Sequence, residues 1–178
     1  VYGEVMDAFH SYSDLIEEFD HATKKFLIGL GNVICRIWQQ PDQGIWEMRS
    51  EPDHHTHSKV MAWVGLDRLI KLIEKYHWKN VDIGLYQRTK IAIRDEIEKN
   101  GFNEKIGSFT QVFKGSVVDA SSMVYSFVGF EEPSSDRMMS TIDFVCQHLT
   151  RNGLVFRYRN DDGLAGGEGS FGICNFWL

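Results

Sequence analysis

His57-Ser-Lys-Val-Met-Ala-Trp-Val-Gly-Leu-Asp-Arg68 is the stretch that decides the fold of this chain. Its centre, Val60 to Leu66, contains no polar side chain, and the apolar series continues through Ile70 and Ile73 at helical spacing. A helix that is apolar all round is buried, whereas one with a single apolar stripe lies at a surface. The segment from about Ser58 to Tyr76 therefore reads as an inner helix.

Working outward, inner and outer helices alternate. Residues from about 2 to 16, from about 119 to 128, and from Phe171 onward are apolar nearly all round in part of their length. The helix from about Asp20 to Gln40 instead carries one stripe, Phe26, Leu27, Leu30, Val33, Ile34 and Ile37, with Lys24-Lys25 outside. The helix from about Val81 to Asn100 places Tyr86, Ile93 and Ile97 inward and stops at Gly101. A further outer helix starts at the Pro133-Ser-Ser-Asp136 cap, carries Met138, Ile142, Val145 and Leu149, and ends at Asn152-Gly153.

Connection lengths alternate too. Inner-to-outer links are short, and outer-to-inner links are long, covering about 41–57, 101–118 and 153–170. With helices antiparallel in chain order, the three long loops fall at one end, where sites are built on a rigid scaffold. The expected fold is all-α, with roughly half of an (α/α)6 double barrel present; an antiparallel bundle or a helical solenoid is the alternative. Gly101 to Phe113 is expected to form a small β-hairpin turning at Lys105-Ile-Gly107.

The bulk numbers narrow the function. A length of 178 residues with 43% hydrophobic residues fits one ordered domain. A net charge of -6 without a Lys/Arg cluster argues against nucleic acid and anionic membrane surfaces. Cys35, Cys146 and Cys174 are odd in number and widely spaced in apolar contexts, as reduced thiols of a cytoplasmic protein would be. No run is long enough to span a bilayer. The chain opens at Val1 without an initiator Met and stops at Leu178 within an apolar run, so it reads as cut at both ends.

Chemistry is concentrated in the loops. In Pro41-Asp-Gln-Gly-Ile-Trp-Glu-Met-Arg49 the carboxylate of Glu47 follows Trp46 directly. A dry neighbourhood keeps a carboxyl protonated near neutral pH, which is what a general acid needs. The plainer alternative is a surface loop with Trp46 plugged into the core and Glu47 paired with Arg49. The third long loop combines Arg157-Tyr-Arg-Asn-Asp-Asp-Gly163 with Gly166-Gly-Glu-Gly-Ser-Phe171. Charged donors and acceptors among glycines suit a ligand whose hydroxyls both donate and accept; an Arg–Asp-stabilised turn is the alternative. Gly166 to Gly169 is not a phosphate loop, since no Lys-Ser/Thr follows it. His54, His55 and His57 lack any supporting Cys pair or HExxH pattern and read as exposed or hydrogen-bonded histidines, not metal ligands. Lys59 is either a site cation or a group snorkelling past its helix end. Asp67 and Lys71 read as an i,i+4 pair, and Asp119 as a helix cap.

Five segments carry a resemblance. Tyr2-Gly-Glu-Val-Met-Asp-Ala8, Asp42 to Arg49, His57 to Arg68, Phe156-Arg-Tyr-Arg159 and Gly167 to Trp177, in that order, resemble glycoside hydrolase family 15. This is the glucoamylase family, and the likeness is to its bacterial-type branch, which includes trehalases. The resemblance implies an (α/α)6 barrel and hydrolysis of α-glucosidic bonds, in trehalose or at α-glucan ends, with inversion at the anomeric carbon. No cofactor and no metal are expected. Glu47 matches the general acid, and the base is expected in a motif beyond Leu178. An Arg-Asp substrate-binding segment is expected before Val1. Arg157 matches an arginine that holds sugar hydroxyls, and Trp46 matches a wall of the same subsite. Arg49, Lys59 and Glu168 complete the expected substrate-binding set, Glu168 without a defined role. Gln43 departs from the branch, which usually has Glu there. A carbohydrate-binding or scaffold protein on a degenerate barrel is the competing expectation, and it would bind sugar without turnover.

Overall fold

The structure is a computed structural model describing residues 1–159 and 169–178. The chain divides into two compact units, Val1–Gln40 with Lys59–Asp95, and Pro41–Ser58 with Glu96–Leu178. The described elements are α1 (Tyr2–Tyr12), α2 (His21–Ile37), α3 (Thr56–Lys75), α4 (Ile83–Asn100) and α5 (Asp136–Leu149). Two 3₁₀ helices, Ala120–Tyr125 and Gly172–Phe176, and four two-residue strands complete them. The all-α expectation holds. No described helix is long and apolar enough to cross a membrane.

In the first unit, α2 begins where Asp20 caps it, its side chain accepting from Thr23 N at 2.7 Å. Leu27, Gly31 and Ile34 form its buried face, while Phe26 stays half exposed against Phe9. Val60, Val64, Leu69 and Leu72 of α3 are fully buried, as the apolar run requires. Two glycines permit close helix approach: a Cβ on Gly3 would meet the Met61 carbonyl oxygen at 2.0 Å, and one on Gly65 would meet Ile34 Cδ1 at 2.6 Å. Asp67 is more than the simple pair expected. Its side chain bonds Lys71 at 2.8 Å, Arg68 at 2.7 Å and Lys90 at 3.1 Å while 6% exposed.

In the second unit, α5 starts at Ser135, whose hydroxyl accepts from Met138 N at 3.1 Å, and buries Met138, Thr141, Val145 and Leu149. The expected hairpin is present as β1 (Phe102–Asn103) and β2 (Ser108–Phe109), with Gly107 at φ 64° in its turn. A second hairpin, β3 (Thr150–Arg151) with β4 (Leu154–Val155), stands where a helix stop alone was expected. Its turn places Asn152 and Gly153 at φ 52° and 76°, the conformation that favours an Asn-Gly hairpin over a helix end.

Three helix expectations need correction. The fifth and seventh helices are 3₁₀ turns, Ala120–Tyr125 and Gly172–Phe176. The first is buried as expected of an inner element, but the last exposes Phe176 at 85%, and α1 buries only Gly3 and Met6. All-round apolarity in those two segments is thus not matched by cover among the described residues.

Candidate active site

The described parts of the three long connections meet in the second unit. The first and second are laced by backbone: Thr56 N donates to Gln111 O and Phe113 N to His54 O, each at 2.9 Å. The third joins through Ala120 N, which donates to Arg157 O at 2.9 Å. The gathering of loops expected from their lengths is therefore real within this unit.

The first loop is closed at its foot by Asp42 and Asp53, which exchange two backbone hydrogen bonds of 2.9 Å. Asp42 Oδ1 also accepts from Gly44 N at 2.7 Å and Ser58 Oγ at 2.8 Å. Gly44, at φ 69°, lies so close to the His55 ring that a Cβ would sit 2.8 Å from Nδ1. Glu47 follows at φ 51°, a left-handed conformation that costs a non-glycine residue about 1 kcal/mol. Met48 N donates back to Gln43 O at 2.9 Å, and Met48 is buried. Gln43 Oε1 is buried with no hydrogen-bond partner among the described residues, at the position where the sequence departs from the family pattern.

Trp46 is half buried and doubly held. Its Nε1 donates to both carboxylate oxygens of Asp119, at 3.0 and 2.8 Å. Its ring packs edge-on to Phe171 at 5.6 Å and tilted to Trp177 at 6.2 Å. The Arg157 guanidinium carbon lies 5.5 Å from the Trp46 centroid and 5.4 Å from that of Phe171, within cation–π reach. Trp46 and Arg157, separated by more than a hundred residues, are thus neighbours.

Other candidates fall differently. Glu47 and Arg49 are both exposed, and neither side chain forms an ion pair among the described residues. The dry setting expected for Glu47 is therefore not supplied here, nor is the Glu47–Arg49 pairing of the plainer alternative. Lys59 belongs to the first unit and is 2% exposed. Its Nζ donates to Gln40 O at 2.5 Å. It does not snorkel; the carbonyl just beyond the C-terminal end of α2 captures the cation. Of the expected exposed or hydrogen-bonded histidines, His55 and His57 are buried, and the His57 ring stacks on Tyr125 at 6.2 Å. Burial, with the Asp119 carboxylate second, pushes the Tyr125 phenol well above its ordinary range. Glu168 lies outside the described residues.

Asp119 is the residue that sequence reasoning undervalued. It caps its 3₁₀ helix as expected, accepting from Ser121 N at 2.8 Å. The same carboxylate also receives Trp46 and the Gln111 amide, the latter at 2.9 Å. No local signal announces a partner seventy-three positions away.

The sequence profile described as "Glycosyl hydrolases family 15" matches residues 1–178. The chain belongs to this family. Among its family relatives, the trehalase of Mycobacterium tuberculosis is 37% identical over 100% of this chain, which spans 26% of that protein. The trehalase of Thermoplasma volcanium is 32% identical over 99% of this chain, which spans 28% of its length. The family member thus spans about a quarter of the curated relatives it matches. A solved wild-type glycosidase aligns over 83% of the chain and 38% of its own, with a TM-score of 0.72 at 18% identity. A glycosidase in complex with glucose aligns over the same shares with a TM-score of 0.70 at 18% identity. These likenesses bear out the helical fold class and agree with the expected arc of an (α/α)6 barrel.

Proposed function

We propose that these 178 residues are part of the catalytic domain of an inverting α-glucosidase of trehalase type, with Glu47 as its general acid. The supporting observation is the turn that presents Glu47: the carboxylate is exposed between buried Met48 and a Trp46 fixed beside Arg157. The family membership and the trehalase relatives supply the reaction class.

In this reading Glu47 protonates the glycosidic oxygen as the bond to the anomeric carbon breaks. A water attacks the opposite face and gives its proton to a second carboxylate about 6.5–9.5 Å away, which lies outside these residues. Arg157 donates to sugar hydroxyls and Trp46 walls the ring. Arg49 and Lys59 belong to the proposed binding set. Glu168 is proposed to lie near the sugar. The protein acts without a cofactor, and its thiols suit the cytoplasm.

The product anomer tests the stereochemistry. Inversion of trehalose in the full-length protein releases one β-glucose and one α-glucose, because the leaving sugar keeps its own anomeric bond. Early NMR spectra showing only α-glucose would rule out inversion.

A further inference from the structure

We infer that Asp119 is a positioning residue that fixes Trp46 and, through it, the turn carrying Glu47; this rests on the glycosidase reading above. A cap alone needs one oxygen for Ser121 N. Asp119 does more: it is 4% exposed and also receives the Trp46 indole on both oxygens and the Gln111 amide on one. An indole N–H points in one direction fixed by its ring. An acceptor with two oxygens straddling it therefore sets both the depth and the rotation of Trp46.

Glu47 is the next residue. Its carboxylate makes no hydrogen bond among the described residues, so its place depends on the backbone, and the backbone is held by Trp46 before it and Met48 after it. Met48 is anchored by burial, whereas Trp46 is half buried and depends on directed bonds. All three long loops lead to this carboxylate: the first by Trp46, the second by Gln111, and the third by the Ala120–Arg157 backbone bond one residue on.

A double-mutant cycle on kcat, in the full-length protein with trehalose, tests the link. Asp119→Asn keeps the shape but turns an amide NH₂ toward donors, and Trp46→Phe keeps a ring while deleting the N–H. A displacement near 1 Å can cost about 100-fold in rate. Each single variant should lose kcat by about that factor, with KM moved by less than about threefold. The double variant should fall no more than about threefold below either single, because both cut one link. Losses that multiply would overturn the inference, as would KM changes that account for the whole effect. If Asp119→Asn does not fold, Trp46→Phe decides alone: kcat within about threefold of wild type overturns it. A wild-type protein without turnover on any α-glucoside would sink the glycosidase reading and this inference with it, an outcome distinct from the others.

Discussion

At the scale of single residues, Glu47 combines an exposed carboxylate with a left-handed backbone, φ 51°. That conformation has a testable consequence apart from catalysis. Glu47→Gly should be more stable than Glu47→Ala by about 1 kcal/mol, since only glycine adopts positive φ without a steric cost; thermal unfolding of the two variants measures it. The proposal that it is an acid rests on its position after Trp46 and on the family pattern. Its exposure could not be read in the sequence, because exposure depends on which chain segments come to lie around the loop. The same holds for Lys59, whose carbonyl partner nineteen residues earlier no periodicity reveals.

Asp67 supplies a second residue-scale prediction. Burial would raise its carboxyl, but hydrogen bonds from Lys71, Lys90 and Arg68 outweigh this and hold it below the usual carboxylate range. A depressed folded-state value means stability that is present above the unfolded value and lost as pH falls through the folded one. Asp67→Asn should therefore cost about 1–2 kcal/mol at neutral pH, because it weakens three charge-assisted bonds, from half-exposed Lys71, from Lys90 and from Arg68, which keeps its pair with Asp7. The penalty should shrink as pH falls below about 4, where the unfolded chain's carboxylate takes up its proton before the folded one does, and urea unfolding at pH 7 and pH 3 reads both.

At the scale of elements, the close approach of α1 to α3 depends on Gly3. A Cβ there would meet the Met61 backbone oxygen at 2.0 Å, so α1 must shift. Gly3→Ala should destabilise by about 2 kcal/mol in thermal unfolding, against the gain in helix propensity that alanine would give an open helix. Helix positions were legible because caps and periodicity coincide at Asp20 and Ser135. Short turns were not: Ala120–Tyr125 and Gly172–Phe176 are too short for periodicity to separate 3₁₀ from α. The hairpin at Asn152-Gly153 did carry a readable signal, an Asn-Gly pair, but it follows a helix directly and satisfied the helix-stop reading equally well.

At the scale of the molecule, the alternation of long and short connections carried the most functional information. It anticipated that the loops containing Trp46, Gln111 and Arg157 would gather, and they do so around Asp119 within one compact unit. What it could not give was the carboxylate that joins them, because a capping aspartate looks alike whether it holds one donor or three. The central claim is that this gathering presents Glu47 as an acid. Trehalose turnover by the full-length protein carrying Glu47→Gln tests it most directly. A general acid contributes about 10²–10⁴-fold, so turnover should fall by that factor while the protein still folds and binds glucose. Activity within about tenfold of wild type would contradict the assignment.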